Sequence, residues 1–453
     1  GPSKLTNAPD FSGHGIFHKR GSSTLWMNKA SFFLEIRDEQ ENDRDVSLAN
    51  LPEESDWVLY APNSFEPVLI HNPVAFELSR QMGPYASRTR FVEVYLKDDS
   101  GTPGPVSAAD YNGVYVLEEK IKVGKNRVAI DKLRAENVTA PAVSGGYLLS
   151  IDRGPQTFYA ANASMNFLDP DTEEMAQPQR SSQVQYVSGY FDAFYNALTG
   201  PNWTDPTRGY AVYIDVPSWI DHHIHGVVTF NVDALRLSGY FYKPREGKIE
   251  MGPVWDFDRT QGSTDGRDFN PRIWRSTVPD YGTDMFNADY SIFHNPWYSR
   301  LFTDIDFWQK WVDRYQELRA GVLANTNVHA VIDRQADEVR PAQTRETARW
   351  TDTRPRSGSR SSGGYSYTFP GTYQGEIDFM KLWYSNRLDF IDTNFLARPR
   401  LSLPGGPVAS GTLRTLAPPA KSGSWVVYTL DGTDPRLAGG AVASLAQSNN
   451  ATV

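Results

Sequence analysis

The chain has 453 residues, a formal net charge of −9, 13% aromatic residues including 12 Trp, and no cysteine. Without cysteine there are no disulfides, thiol nucleophiles or Cys-ligated metal centres, and the acidic balance argues against non-specific binding to nucleic acid or an anionic membrane. The length allows one large domain or two to three smaller ones, and no apolar run approaches the ~18–20 residues of a membrane span.

Residues 16–36, "IFHKRGSSTLWMNKASFFLEI", read as two strands around a Gly/Ser turn. After a charged connection, "NPVAFELSRQMG" carries helix punctuation, with Pro at the start and Gly at the end. The strands "TRFVEVYL", "NGVYVLEEKI" and "GGYLLSI" follow, so the first 150 residues are expected to form a mostly antiparallel sheet with one helix on it. From about residue 180 the pattern turns helical, with "SQVQYVSGYFDAFYNAL" and "VPSWIDHHIHGVVTF". Farther along, "TDIDFWQKWVDRYQELRAGVLA" and "GEIDFMKLWYSNRLDFIDTNFL" repeat apolar residues at three- and four-residue spacing and read as core helices. Between them "TRPRSGSRSSGGYSYTFPGTY" reads as a mobile loop from its Gly, Ser and Arg content.

A boundary is expected near "ARPRLSLPGGP", dividing residues 1–398 from a module at 399–453. The phrase "YTLDGTDPR" in that module resembles the start of the β-sandwich found at the C-terminus of chitobiase-like enzymes, which suggests carbohydrate surroundings. At 55 residues the module is short of a complete Ig-like sandwich, which needs about 100. The leading Gly-Pro reads as a cleavage scar, so an export signal is expected ahead of it.

The chemistry concentrates in "NVDALRLSGYFYKPREGKIEMGPVWDFDRT", residues 231–260, a β-hairpin with acids at both ends. Phosphoryl transfer from a nucleotide needs a carboxylate to orient the attacking hydroxyl and oxygen ligands to hold Mg²⁺ on the phosphates. Protein kinases place these groups on turns flanking a hairpin, as Asp-x-x-x-x-Asn and then a later Asp. Here Asp233 is followed five residues on by Ser238, and Asp256 lies 23 residues past Asp233.

The phrases "RGSST", "SDWVLYAP", "GVYVLEEKI", "NRVAI", "GGYLLSID", "SWIDHHI", "NVDALRLSGYFYK" and "GPVWDFD" stand in the order in which they occur in the CotH family, which is named for a bacterial spore-coat protein. The chain resembles that family up to about residue 398. The resemblance implies an α+β, two-lobed, atypical protein-kinase-like fold, with an antiparallel N-lobe and a mostly helical C-lobe. It implies ATP with Mg²⁺ or Mn²⁺ as cofactors and a secreted enzyme that phosphorylates Ser or Thr of an extracellular or cell-envelope protein. Asp233 would be the catalytic acid; Asp256, helped by Asp258, Asn231 and Ser238, would hold the metal. By kinase order, Gly21 would lie in the phosphate-covering turn, Lys29 would bind phosphate with Glu77 as its helix partner, and Arg20 would contact the nucleotide.

Ser238, where kinases carry Asn, and the attached module favour a different reading: a non-catalytic extracellular structural or adhesive protein on a kinase-like scaffold. A zinc site on His222 and His225, three residues apart on one helix, and a glycosidase using Asp256 and Asp258 are further rivals.

Overall fold

Alternating side chains in "SFFLEIR" and "HGIFHKR" favour strands, and in the computed structural model the two segments pair. The structure describes residues 8–448 apart from 10, 99–103, 155–156, 235–236, 276–295 and 404. Strands β1 (His14–Arg20) and β2 (Ser31–Arg37) run antiparallel, with Arg20 opposite Ser31. With β3 (Asp56–Tyr60), β4 (Thr89–Tyr95) and β5 (Tyr111–Glu119) they form a five-stranded antiparallel sheet in the order β1-β2-β3-β5-β4. Helix α1 (His71–Met82) stops at Gly83, whose φ of 123° suits a residue without Cβ. Val74, Ala75, Phe76 and Leu78 of α1 are buried.

A second five-stranded sheet has the order β10-β9-β6-β8-β7. Its strands are β6 (Tyr147–Ile151), β7 (Phe158–Ala160), β8 (Ala163–Asp169), β9 (Gly239–Lys243) and β10 (Glu250–Met251). Every residue of β6 is buried, which explains its nearly unbroken apolar sequence. The expected hairpin is present: β9 and β10 pair with Tyr242 opposite Glu250.

The helices are α2 (Thr172–Met175), α3 (Ser181–Thr199), α4 (Val216–Thr229), α5 (Pro296–Leu301), α6 (Ile305–Arg319), α7 (Asn325–Val339), α8 (Gln343–Arg349) and α9 (Tyr373–Asn394). Trp219, Trp297, Trp311 and Trp383 are fully buried among them, and changing any one to Ala would cost about 3–5 kcal/mol. The expectation of a mobile loop at 353–373 is corrected: β11 (Ser357–Ser362) and β12 (Tyr365–Pro370) form a regular antiparallel hairpin. Every β11 residue is exposed, so its sequence lacks the apolar alternation that marks a half-buried strand. Tyr367 and Phe369 of β12 pack on Phe379 of α9 and hold the hairpin in place.

Past α9 the described chain carries two pairs of two-residue strands, β13 (Arg400–Leu401) with β14 (Leu416–Ala417) and β15 (Val427–Tyr428) with β16 (Gln447–Ser448). The segment touches the preceding helices through Arg436, which pairs with Asp306 of α6, and through Gly439 N–H, which donates to Asp306 Oδ2 at 2.9 Å.

Candidate active site

Helix α4 delivers the first acid. Its start is capped by Asp215, which accepts from Ser218 N–H at 2.9 Å, and its end is a left-handed Phe230 with φ of 53°. Asn231 follows, and its side-chain oxygen accepts the N–H of Asp233 at 2.9 Å, shaping the turn that presents Asp233. Asn231 is buried and does not line the cleft into which Asp233 faces. Its observed work is to hold the turn.

The second group follows the β9–β10 hairpin. Asp256 has φ of 64°, a strained left-handed backbone for a residue with a Cβ. The first turn of α1 holds this loop: Asn72 Oδ1 accepts Phe257 N–H at 2.7 Å, and His71 Nδ1 lies 3.0 Å from the Asp258 carbonyl. Asn63 Nδ2 donates to Asp258 Oδ2 at 3.3 Å. The buried Phe257 between the two acids packs against Phe76 and His225, while Asp256 and Asp258 both line the cleft.

These pieces meet in a cleft of about 840 Å³ lined by Asp152, Asp233, Asp256 and Asp258, and by Arg20, Arg153 and Arg259. Gly21 and Ser22 form its rim. A Cβ on Gly21, whose φ is 120°, would lie 2.2 Å from Thr24 Oγ1, so this turn requires glycine. Arg20 is steadied over the Trp255 ring, 5.5 Å from its centroid. Ser238, with φ of 50°, holds its hydroxyl 3.3 Å from both Asp152 Oδ2 and Asp256 Oδ2 and bridges the hairpin to the end of β6.

Crowded carboxylates in a partly enclosed space resist ionisation. Asp256 is surrounded by protein but keeps part of its surface open to the cleft; burial raises its pKa, the charges of Asp258, Asp233 and Asp152 raise it further, and Arg20 opposes them. Burial also raises Asp258, against the opposing effects of Arg259 and the Asn63 hydrogen bond. Asp152 is raised by burial, which its hydrogen bonds from Arg153 N–H and Ser238 offset in part. Positive charge entering the cleft would relieve this repulsion. Among the described residues no group of three His, Asp or Glu side chains is arranged to hold a metal ion. The all-oxygen donor set nevertheless suits a hard cation such as Mg²⁺, which takes one or two carboxylates and completes its shell with water and phosphate oxygens.

The expected Lys29–Glu77 pair does not form. Lys29 Nζ is buried and donates to Glu346 Oε1 of α8 and to the Val114 carbonyl, both at 2.7 Å. It faces a neighbouring cavity. Glu77 pairs on the protein surface with Arg80 at 2.8 Å and Arg334 at 3.0 Å. The reason is helical phase: Glu77 is five residues from Asn72, or roughly 140° around the axis, and Asn72 is the α1 residue that lines the cleft. Sequence reading missed Asp152, Arg153, Arg259 and Asn72. The one available signal was the acid ending the buried strand "YLLSI", where a charge abruptly follows an apolar run.

Of the α4 histidines, His222 and His225 each keep a buried Nδ1 without a hydrogen-bond partner among the described residues, and no further His, Asp or Glu joins them in a metal-holding group there. His223 Nδ1 accepts from Trp311 Nε1–H at 2.9 Å, and His225 Nε2 lies 2.8 Å from the Ala75 carbonyl. No curated protein matches the chain. The family model described as CotH kinase protein matches residues 17–391, a span that takes in all but the first three residues of the two five-stranded sheets and every acid and arginine of the cleft, and the chain belongs to the CotH kinase family.

Proposed function

We propose that the protein transfers the γ-phosphoryl group of ATP to a Ser or Thr hydroxyl of an extracellular or cell-envelope protein, on a two-lobed, kinase-like scaffold. The observation that carries this reading is the convergence in one cleft of Asp233, the Asp256/Asp258 pair and three arginines. Asp233 orients the acceptor hydroxyl and takes its proton as the new O–P bond forms and the bond from the γ-phosphorus to the bridging oxygen breaks, releasing ADP. Arg20, Arg153 and Arg259 clamp phosphate oxygens. Asp256 and Asp258 would hold the divalent cation, with the Ser238 hydroxyl and Asp152 beside them. When bound, that cation neutralises phosphate charge.

The test is incubation with γ-labelled ATP and Mg²⁺ or Mn²⁺ over a panel of Ser/Thr-containing envelope proteins, using wild type, Asp233→Ala and Asp256→Ala. Wild type should label an acceptor, and each variant should lose at least about a hundredfold in rate. Equal labelling in all three, or none in any, sinks the reading. A non-catalytic scaffold is the second reading, and Ser238 in the cleft favours it. Under that reading, ATP with Mg²⁺ would leave the melting temperature unchanged, whereas a nucleotide-binding protein is stabilised by its ligand.

A further inference from the structure

Beside the acidic cleft lies a second cavity, open to solvent, of about 480 Å³, whose lining includes Trp26, Asn28, Lys29, Ser64, Trp350 and Asp352. Asn63 belongs to the wall between the two, since its amide donates to Asp258. Trp26 is 85% exposed, an unusual position for so large an apolar side chain. Trp350 is fixed by an Nε1–H bond to the Asn112 carbonyl at 2.7 Å and by the Arg349 guanidinium 4.0 Å from its ring centre. Asn28 and Ser64 have no side-chain partner among the described residues, so their hydrogen-bonding groups are available to a ligand.

The chemistry of this wall selects its ligand. The cation at the floor, Lys29, is already neutralised by Glu346 at 2.7 Å, and Asp352 adds negative charge, so an anion is disfavoured. The exposed indole of Trp26, with Trp350 lining the same cavity, offers apolar surface for C–H groups, while an amide, a hydroxyl and a carboxylate offer both donors and acceptors for hydroxyl groups. A neutral ring that is apolar on its faces and rich in hydroxyls at its rim satisfies both halves. We propose that the Trp26–Trp350 cavity is a saccharide-binding site, taking one neutral pyranose unit. The proposal is independent of phosphoryl transfer.

The probes are methyl glycosides of neutral hexoses and N-acetylhexosamines, with their short oligosaccharides, titrated by calorimetry and by saturation-transfer NMR. At least one saccharide class should bind saturably. Trp26→Ala should weaken that binding about tenfold, the scale of one aromatic contact. Trp425→Ala, which removes another exposed indole (69% exposed), should change it less than about twofold, and Asp256→Ala should leave it intact. Unchanged melting of Trp26→Ala verifies that the fold survives. Absence of saturable binding by any saccharide overturns the proposal, as does wild-type affinity in Trp26→Ala. Displacement of the saccharide by ATP, or tighter Trp26-dependent binding of a Ser-containing peptide, would assign the cavity to a different ligand and also overturn it.

Discussion

Ser238 adopts a left-handed backbone, φ 50°, in which Asn is accepted more readily than Ser. Ser238→Asn should therefore relieve strain and place an amide oxygen beside Asp256, a better ligand for a hard cation than a hydroxyl. We predict a lower Mg²⁺ concentration for half-maximal phosphoryl transfer in this variant; an unchanged or higher requirement would count against Ser238 standing near the cation. Asp152 makes the opposite case. Its carboxyl adds to the repulsion that raises Asp256, so Asp152→Asn should melt higher than wild type without cation and gain less on adding Mg²⁺, both read by calorimetry. A variant that melts lower and responds fully to Mg²⁺ would show that Asp152 is merely structural.

At the scale of elements, the Lys29–Glu346 pair ties α8 to the first sheet. Glu346 is fully buried; its Oε1 accepts from Lys29 and Thr353 and its Oε2 accepts Val114 N–H at 2.7 Å. Burial lowers the Lys29 pKa and the charge of Glu346 opposes that fall. Removing one partner leaves the other charged and unpaired, so Glu346→Ala should cost about 3–5 kcal/mol in denaturant unfolding. Lys29→Met with Glu346→Leu should recover part of it. Full additivity of the two single losses would mean that the contact couples nothing. Helix α1 plays the corresponding role at the cleft, because Asn72 joins the Phe257 N–H to Glu118 of β5 at 3.1 Å and so relates the loop carrying Asp256 and Asp258 to the sheet.

The whole molecule carries an acid sensitivity set by burial. His225 is held neutral because desolvation lowers its pKa from 6.5 to about 4, and His222 falls to about 3 for the same reason. The unfolded chain takes up these protons first as pH falls below 6.5, so stability is lost progressively from there to about pH 4 and below. His225→Gln should flatten this acid limb by up to about 1.4 kcal/mol per pH unit, the slope of one proton. Denaturant midpoints measured from pH 7 to pH 4 would check it, and parallel curves for the two proteins would refute it.

Local chemistry was legible in the sequence wherever one segment decides the outcome. The β9–β10 hairpin, the turn at Gly21, the amphipathic helix α6 and the core helix α9 follow from alternation, glycine and helical period, and the presence of Asp233, Asp256 and Asp258 in one cleft follows from the hairpin that separates them. Partners distant in sequence were not legible. Glu346 lies 317 residues from Lys29, and Asp152 lies 86 from Ser238. No periodicity links such positions; α8 takes Lys29 because docking on β5 brings a buried carboxylate to a buried ammonium, and each charge can be buried only with the other. The sequence by itself marked out Asp233, Asp256, Asp258 and Arg20. Only the tertiary structure decided which arginines and carboxylates share the cleft, because burial, the cause of their altered ionisation, is a property of the packed chain.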